Sequence, residues 1–153
     1  MRSRSANWFI CKIAYEKVME DGLTKKVIES YVVDALSFTE AEARIIEQMS
    51  SYISGEFDVV EIDRCKFKEI FFDDKESSDK WYKAKVQFIT IDEKTEKAKK
   101  TNIYYLVQAS SVENASNNID DLLGGTMFDY VICDVNETKI WDVYEYSAKH
   151  NGK

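Results

Sequence analysis

Residues 31–49 read YVVDALSFTEAEARIIEQM, and this stretch decides the fold because residues 105–123, YLVQASSVENASNNIDDLL, repeat its plan. In both stretches apolar residues first alternate, a Ser follows at the turn, and apolar residues then recur four positions apart. A spacing that changes from two to four is typical of a strand that leads into a helix. Ile45 and Ile119 lie 74 residues apart, as do the two Tyr that begin the stretches. The constant offset predicts an internal duplication.

The segments around these stretches predict four strands for each copy. Residues 8–18 and 25–35 alternate on either side of the turn signal Asp21-Gly22, and residues 57–62 and 67–72 read as two further strands. The second copy repeats the order, with strands predicted at residues 81–91, 101–109, 128–134 and 139–146. The predicted helix caps are Ser37 or Thr39 in the first copy and Ser111 in the second.

We therefore predict an α+β fold, a tandem duplication of a strand-strand-helix-strand-strand unit whose antiparallel sheets are each covered by one helix. The predicted order is a flexible tail at residues 1–6, repeat 1 at 7–73, a linker at 74–79, repeat 2 at 80–146 and a flexible tail at 147–153. Each sheet would keep one apolar face uncovered by its helix. We expect the two repeats to bury these faces against each other in one compact domain.

The composition is typical of a globular cytoplasmic protein. Hydrophobic residues make up 44% of the 153 residues, which excludes a wholly disordered chain. No apolar run reaches the ~18 residues that a membrane span needs, so no membrane contact is predicted. The start, MRSRSANWF, has no apolar core of a signal peptide. Cys11, Cys65 and Cys133 are widely spaced, which favours free thiols in a reducing compartment.

Charge is distributed unevenly along the chain. The net charge of −7 argues against a protein that coats duplex DNA by charge alone. Residues 80–100, however, carry seven lysines against three acidic residues. The protein is therefore acidic with one basic segment, which would suit a local contact with phosphates.

Two tryptophans mark the candidate binding face. Trp8 and Trp81 occupy equivalent places in the predicted copies, and a lysine, Lys12 or Lys85, follows each of them by four residues. An exposed indole can stack on a base of single-stranded nucleic acid while the ammonium group meets a phosphate. The candidate nucleic-acid-binding residues are Trp8, Lys12, Trp81, Lys83, Lys85, Lys97, Lys99 and Lys100. The alternative is that both indoles fill the seam between the copies or a subunit interface.

Catalytic chemistry finds little support in the sequence. His150, the single histidine, stands in the C-terminal tail, which argues against Ser-His and Cys-His nucleophile arrangements and His-based zinc sites. Asp73-Asp74 and Asp120-Asp121 are adjacent pairs whose side chains diverge. Gly124-Gly125 follows a predicted helix, where a C-cap explains it better than a phosphate loop. We predict no enzymatic activity, no catalytic residue, no metal site and no cofactor.

Three segments carry a resemblance to a known family. They are MEDGLTKKVIESYVVDALSFTEAEARIIEQMSSYISGEF, KWYKAKVQFITIDEKTEKAKKTNIYYLVQA and GGTMFDYVI. The chain resembles, over residues 5–146, an uncharacterised family of short proteins from gut bacteria and their phages. This resemblance implies a cellular setting and no site residues. In topology alone, the predicted order is also similar to the whirly and PUR binders of single-stranded nucleic acid, which duplicate a four-strand-plus-helix unit.

The predicted function is non-enzymatic binding of single-stranded DNA or RNA by a phage or mobile-element protein. One alternative is an interaction protein that binds a host protein or a small nucleotide between the repeats, as an inhibitor or a sequestering protein. Another is a structural component that forms a homo-oligomer. Salt separates these hypotheses, because nucleic-acid binding weakens steeply with salt whereas an apolar protein interface does not.

Overall fold

The computed structural model describes residues 1–146, which form nine strands and two helices. The predicted tail at 147–153 lies outside the described residues. The strands are β1 (Arg2–Ser5), β2 (Trp8–Val18), β3 (Thr24–Asp34), β4 (Phe57–Arg64), β5 (Glu69–Phe72), β6 (Lys80–Ile91), β7 (Ala98–Ala109), β8 (Asp129–Glu137) and β9 (Ile140–Tyr144). The helices are α1 (Phe38–Tyr52) and α2 (Val112–Leu123). Two mostly antiparallel sheets with two helices confirm the predicted α+β class.

The chain divides into two compact units. Unit I comprises Ala6–Cys65 and the chain from Lys139, and its sheet has the order β4-β2-β3-β9. Its long hairpin turns at Gly22, whose φ of +83° is a conformation that favours glycine. Helix α1 packs on one face of this sheet, and the core between them includes the fully buried side chains of Phe9, Ile13, Val33, Ile45 and Met49.

Unit II comprises Met1–Ser5 and Lys66–Thr138, and its sheet has the order β1-β5-β7-β6-β8. Strands β6 and β7 form its long hairpin, and α2 packs on one face of the sheet. The core between helix and sheet includes Tyr82, Val86, Val107 and Ile119. In each unit, every second residue of a strand faces the helix, as the two-residue period of a strand predicts.

One strand of each unit differs from the predicted repeats. Strand β5, the last strand of predicted repeat 1, pairs in parallel with β7 of unit II. Strand β9, the last strand of predicted repeat 2, pairs in parallel with β3 of unit I. Neither unit is therefore one contiguous repeat with a fully antiparallel sheet. Alternation of apolar residues specifies a strand and its buried face, but it does not specify the strand's partner.

The N-terminus also differs from its prediction as a flexible tail. Residues 2–5 form β1, which pairs antiparallel with β5. The Arg2 guanidinium binds the Asp74 carboxylate at 2.6 Å and lies 4.1 Å from the centre of the Phe72 ring. This ion pair holds the pKa of Asp74 below its ordinary value. A basic tail without apolar periodicity becomes a strand because backbone pairing and these side-chain contacts hold it.

The helices begin in the same way in both units. The Oγ atoms of Ser37 and Ser111 accept hydrogen bonds from the backbone N–H groups of Glu40 and Asn114, at 3.1 and 3.0 Å. The side chains of those two residues accept in turn from the backbone N–H four positions before them, each at 3.0 Å. These reciprocal bonds resemble a capping box, except that the returning bond comes from the N–H of the residue before the cap. Of the two predicted caps, Ser37 and Thr39, Ser37 is therefore the N-cap of α1.

Further side-chain bonds recur at the same offset. Arg44 on α1 donates to the backbone carbonyl of Asp34, and Asn118 on α2 donates to that of Gln108. The Asp34 carboxylate accepts from the N–H of Tyr146, and the Gln108 side chain accepts from that of Asp73, at 2.8 and 2.9 Å. These bonds support the internal duplication, which stays a prediction for the superposition of residues 7–73 on 80–146.

Candidate nucleic-acid interface

Trp8 and Trp81 are buried, each with 3% of its surface exposed. The Trp81 indole packs edge-to-face on the Phe72 ring at 5.7 Å between ring centres. The expectation that at least one indole is exposed as a stacking platform is therefore wrong. Burying a large apolar ring away from water is favourable, and this hydrophobic gain explains why both indoles lie in the interior.

Lys83 and Lys85 lie together on β6, on the sheet face that α2 leaves uncovered. Strand pairing places Lys85 between Tyr104 of β7 and Asp134 of β8, and places Asn136 beside Lys83. These five residues line a surface pocket of about 200 Å³. The Lys83 ammonium nitrogen lies 5.2 Å from the centre of the Tyr104 ring. We call this set of side chains the Tyr104 pocket.

The three other predicted lysines of the basic segment only partly join this face. Lys100 pairs with Ile89 and, by the alternation along β7, shares the face of Tyr104. Lys99 points to the opposite face, and Lys97 precedes β7 in the connecting turn, where its carbonyl accepts from the N–H of Asp92 at 3.0 Å. All three lysines are exposed. The structure therefore brings Lys83 and Lys85 together, places Lys100 farther along the same face, and leaves Lys97 and Lys99 off that face.

Lys12 has the position in unit I that Lys85 has in unit II. Each lies in the strand next to an edge strand of its sheet, and each directly precedes a register shift in its pairing with that edge strand. Lys12 stands between Ser30 of β3 and Glu61 of β4, so unit I has a serine where unit II has a tyrosine ring. The Lys12 ammonium binds Glu61 at 2.8 Å, and this hydrogen bond and the glutamate charge raise the pKa of Lys12.

The two faces therefore present different chemistry. Among the ion pairs of residues 1–146, none joins Lys83, Lys85 or Asp134 to an opposite charge. In unit I the Glu61 carboxylate holds Lys12 in an ion pair. In unit II the lysines remain available to an anion, beside an aromatic ring.

A family model matches residues 7–146 of this chain. The chain belongs to the family described as Domain of unknown function (DUF4494). The predicted membership of an uncharacterised family is thereby confirmed. No curated protein and no solved structure matches the chain. The description of DUF4494 gives no activity, so the candidate sites of this DUF4494 domain are argued from their own geometry.

A buried carboxylate in unit I forms a second polar cluster of the domain. Glu29 is 3% exposed, and its Oε1 accepts from the hydroxyl groups of Tyr15 and Tyr31 at 2.8 and 2.9 Å. Lys17 donates to Oε2 at 3.1 Å, and its ammonium lies 4.4 Å from the centre of the Trp141 ring. Burial, and then the hydrogen bonds to Glu29, raise the pKa of both tyrosines. Each donor and acceptor in this cluster has a partner, as a buried carboxylate requires.

Residues 1–146 contain no group of three His, Cys, Asp or Glu side chains placed to hold a metal ion. Neither α1 nor α2 is long and apolar enough to cross a membrane.

The sequence missed three residues of the Tyr104 pocket. Tyr104, Asp134 and Asn136 contribute a ring, a carboxylate and an amide to it. Tyr104 could have been found, because residues directly opposite in a hairpin share a face, and the hairpin of residues 81–109 was predicted. Asp134 and Asn136 carry no such signal, since they come from β8, which β7 and α2 separate from β6 along the chain.

Proposed function

We propose that the protein binds single-stranded DNA or RNA on the sheet face of unit II that α2 leaves uncovered. The observation that carries this proposal is the Tyr104 pocket, where two lysines that form no ion pair among residues 1–146 lie beside a partly exposed aromatic ring. A base can stack on the ring while the ammonium groups meet the flanking phosphates. The binding is non-enzymatic.

The same face continues from the pocket along the hairpin. Gln87 and Asn102 lie opposite each other, and their side-chain amides are joined by a hydrogen bond of 3.2 Å. Lys100 precedes Asn102 by two residues and shares its face. Apart from Leu106 and Ile89, which lie opposite Lys83 and Lys100, the strip from Lys83 to Lys100 is therefore polar and cationic. Such a strip supports contact with the phosphate backbone of a nucleic-acid strand that runs along β6 and β7.

The net charge of −7 does not oppose this proposal. Phosphate contacts act over about 8–10 Å at physiological salt, so the local charge of the face matters more than the total. Asp134, which lines the Tyr104 pocket, nevertheless reduces the positive potential of this face. We therefore expect modest affinity that depends steeply on salt.

The proposed setting is the cytoplasm of a bacterium, with a phage or mobile-element protein as the class. Support for a reducing compartment comes from the cysteines, since Cys11, Cys65 and Cys133 are all free. Burial raises the pKa of the Cys11 and Cys65 thiols to about 12, which keeps them protonated and unreactive. The phage setting and the likeness to whirly and PUR binders are supported only by the resemblance described above.

A fluorescence titration with labelled single-stranded oligonucleotides tests the proposal. We expect binding at about 50 mM salt that weakens strongly by about 200 mM salt. Tyr104→Ala should weaken binding by about 1–3 kcal/mol, because it removes the stacking ring. The control is Tyr52→Ala, which removes an exposed tyrosine from α1 of unit I and should leave the affinity unchanged.

Failure to bind at low salt would overturn the proposal. It would favour the alternative of a protein partner, whose apolar interface would respond little to salt. An equal loss from Tyr104→Ala and Tyr52→Ala would also contradict the assigned face. Thermal melts of both variants check that the fold is retained.

A further inference from the structure

We infer that the Tyr104 pocket reads the base it holds and prefers cytosine to thymine. The inference rests on the proposed function and adds to it a selectivity that stacking and phosphate contacts alone do not supply, since every base has an aromatic face. The residue that carries the selectivity is Asp134. It is the acidic member of a pocket whose other polar members are two lysines and an asparagine.

The Asp134 carboxylate is available to a ligand because no lysine of the described residues forms an ion pair with it. Its register neighbour is Lys85, just as Lys12 is the neighbour of Glu61 in unit I. Lys12 and Glu61 form an ion pair at 2.8 Å, whereas the ion pairs of the described residues include none between Lys85 and Asp134. The carboxylate therefore keeps its acceptor capacity for a group that enters the pocket.

A carboxylate accepts hydrogen bonds and repels other acceptors. Cytosine presents an amino donor at C4, whereas thymine presents a carbonyl oxygen at the same position. An amino group beside Asp134 gains a hydrogen bond to a charged acceptor, and a carbonyl there meets a negative charge. Asn136 and the lysines supply donors for the remaining acceptor atoms of cytosine.

The size of the pocket fits one base. Its volume of about 200 Å³ corresponds to the volume of about seven liquid waters. The Tyr104 ring provides one wall for stacking, and Asp134 and Asn136 come from the neighbouring edge strand. Reading the edge of a single unstacked base between an aromatic ring and polar side chains is the common way in which proteins recognise single strands.

The test compares affinities for oligo-dC and oligo-dT of equal length at one salt concentration. We expect the wild type to bind oligo-dC about fivefold more tightly, the effect of one solvent-exposed hydrogen bond. Asp134→Asn should bring the ratio close to one. It should at the same time raise the affinity for both oligonucleotides, because it removes a negative charge near the phosphates.

Asp129→Asn is the matched control. Asp129 is an exposed residue of the same strand and pairs with Ile89. Its substitution by Asn makes the same change in charge outside the pocket. This control should raise both affinities and keep the preference for oligo-dC. Equal affinities of the wild type for the two oligonucleotides, or a preference that survives Asp134→Asn, would overturn the inference and leave the proposed function standing. Binding of neither oligonucleotide would overturn both.

Discussion

The two units have the same arrangement of strands around Lys12 and Lys85, but the side chains on their outer sheet faces differ. Lys12 and Lys85 occupy the same place in the strand next to an edge strand, and both are followed by a shift in register. Around Lys12 the neighbours are Ser30 and Glu61, whereas around Lys85 they are Tyr104 and Asp134. Only the first lysine is held by its carboxylate.

The difference teaches which positions can carry function in this fold. Buried positions of both units must fill the space between helix and sheet, so their side chains change little in size. The exposed middle of each sheet has no such constraint. There, unit I has a serine beside a lysine that is paired with Glu61, whereas unit II has a tyrosine ring beside a lysine without such a pair among residues 1–146.

The largest effects are expected where the frames agree most closely. Trp8→Ala and Trp81→Ala should each lower the free energy of unfolding by about 3–5 kcal/mol, because both remove a buried ring. Chemical denaturation measures the loss. Trp141→Ala is the control, since that indole is 53% exposed and should cost much less. A Trp8 or Trp81 variant as stable as the wild type would show that the indole is not part of the core.

The two helices allow a paired test of the common frame. Ile45→Ala and Ile119→Ala should each destabilise by about 2–5 kcal/mol, since both side chains are fully buried. Denaturant melts of the two variants should give similar losses. Ile46→Ala, at a position 41% exposed on α1, should cost clearly less. Losses of very different size for Ile45 and Ile119 would break the correspondence between the units.

The units should differ in the part of their stability that tyrosine hydroxyls supply. Tyr31→Phe removes a 2.9 Å hydrogen bond to buried Glu29, which should cost about 1–3 kcal/mol at neutral pH. Tyr105→Phe, the matched change in unit II, should cost less, because unit II has Ile103 where unit I has Glu29. Equal losses would show that the Glu29 cluster adds nothing to unit I.

The same variants should respond to alkaline pH. Burial raises the pKa of Tyr105 to about 12 from an ordinary value of 10, and burial together with Glu29 raises the pKa of Tyr31. The folded state therefore holds these protons more tightly than the unfolded state. Their contribution is complete below pH 10 and is lost as the pH rises towards the folded pKa. Urea melts at rising pH should show a flatter decline in either Phe variant, and an unchanged decline would contradict this assignment.

Most of the frame could be predicted from the sequence, because local patterns decide it. The alternation in β2 and β6 and the four-residue spacing in α1 and α2 gave the elements within a few residues of their observed bounds. Pairing between distant strands was not predictable, since β5 and β9 join sheets through register that no local pattern specifies. For the same reason the tail at residues 2–5 was not expected to become β1.

The candidate site was predictable only in part. Lys83 and Lys85 follow from composition and alternation, and their facing partner Tyr104 follows from hairpin geometry. The burial of Trp8 and Trp81 could not be read from the strand pattern, because alternation assigns a residue to a face without saying whether that face is covered. Sequence therefore located the lysines of the site and misjudged its aromatic group.

The most direct measurement compares the salt dependence of oligonucleotide binding for Lys85→Ala and Lys12→Ala. Both changes remove one lysine from equivalent places, but only Lys85 is available to a phosphate. Lys85→Ala should lower the slope of log affinity against log salt by about 0.7, the value of one phosphate contact with a single strand. Lys12→Ala should leave the slope unchanged. A slope that falls equally in both variants, or only in Lys12→Ala, would contradict the assignment of binding to the face of unit II.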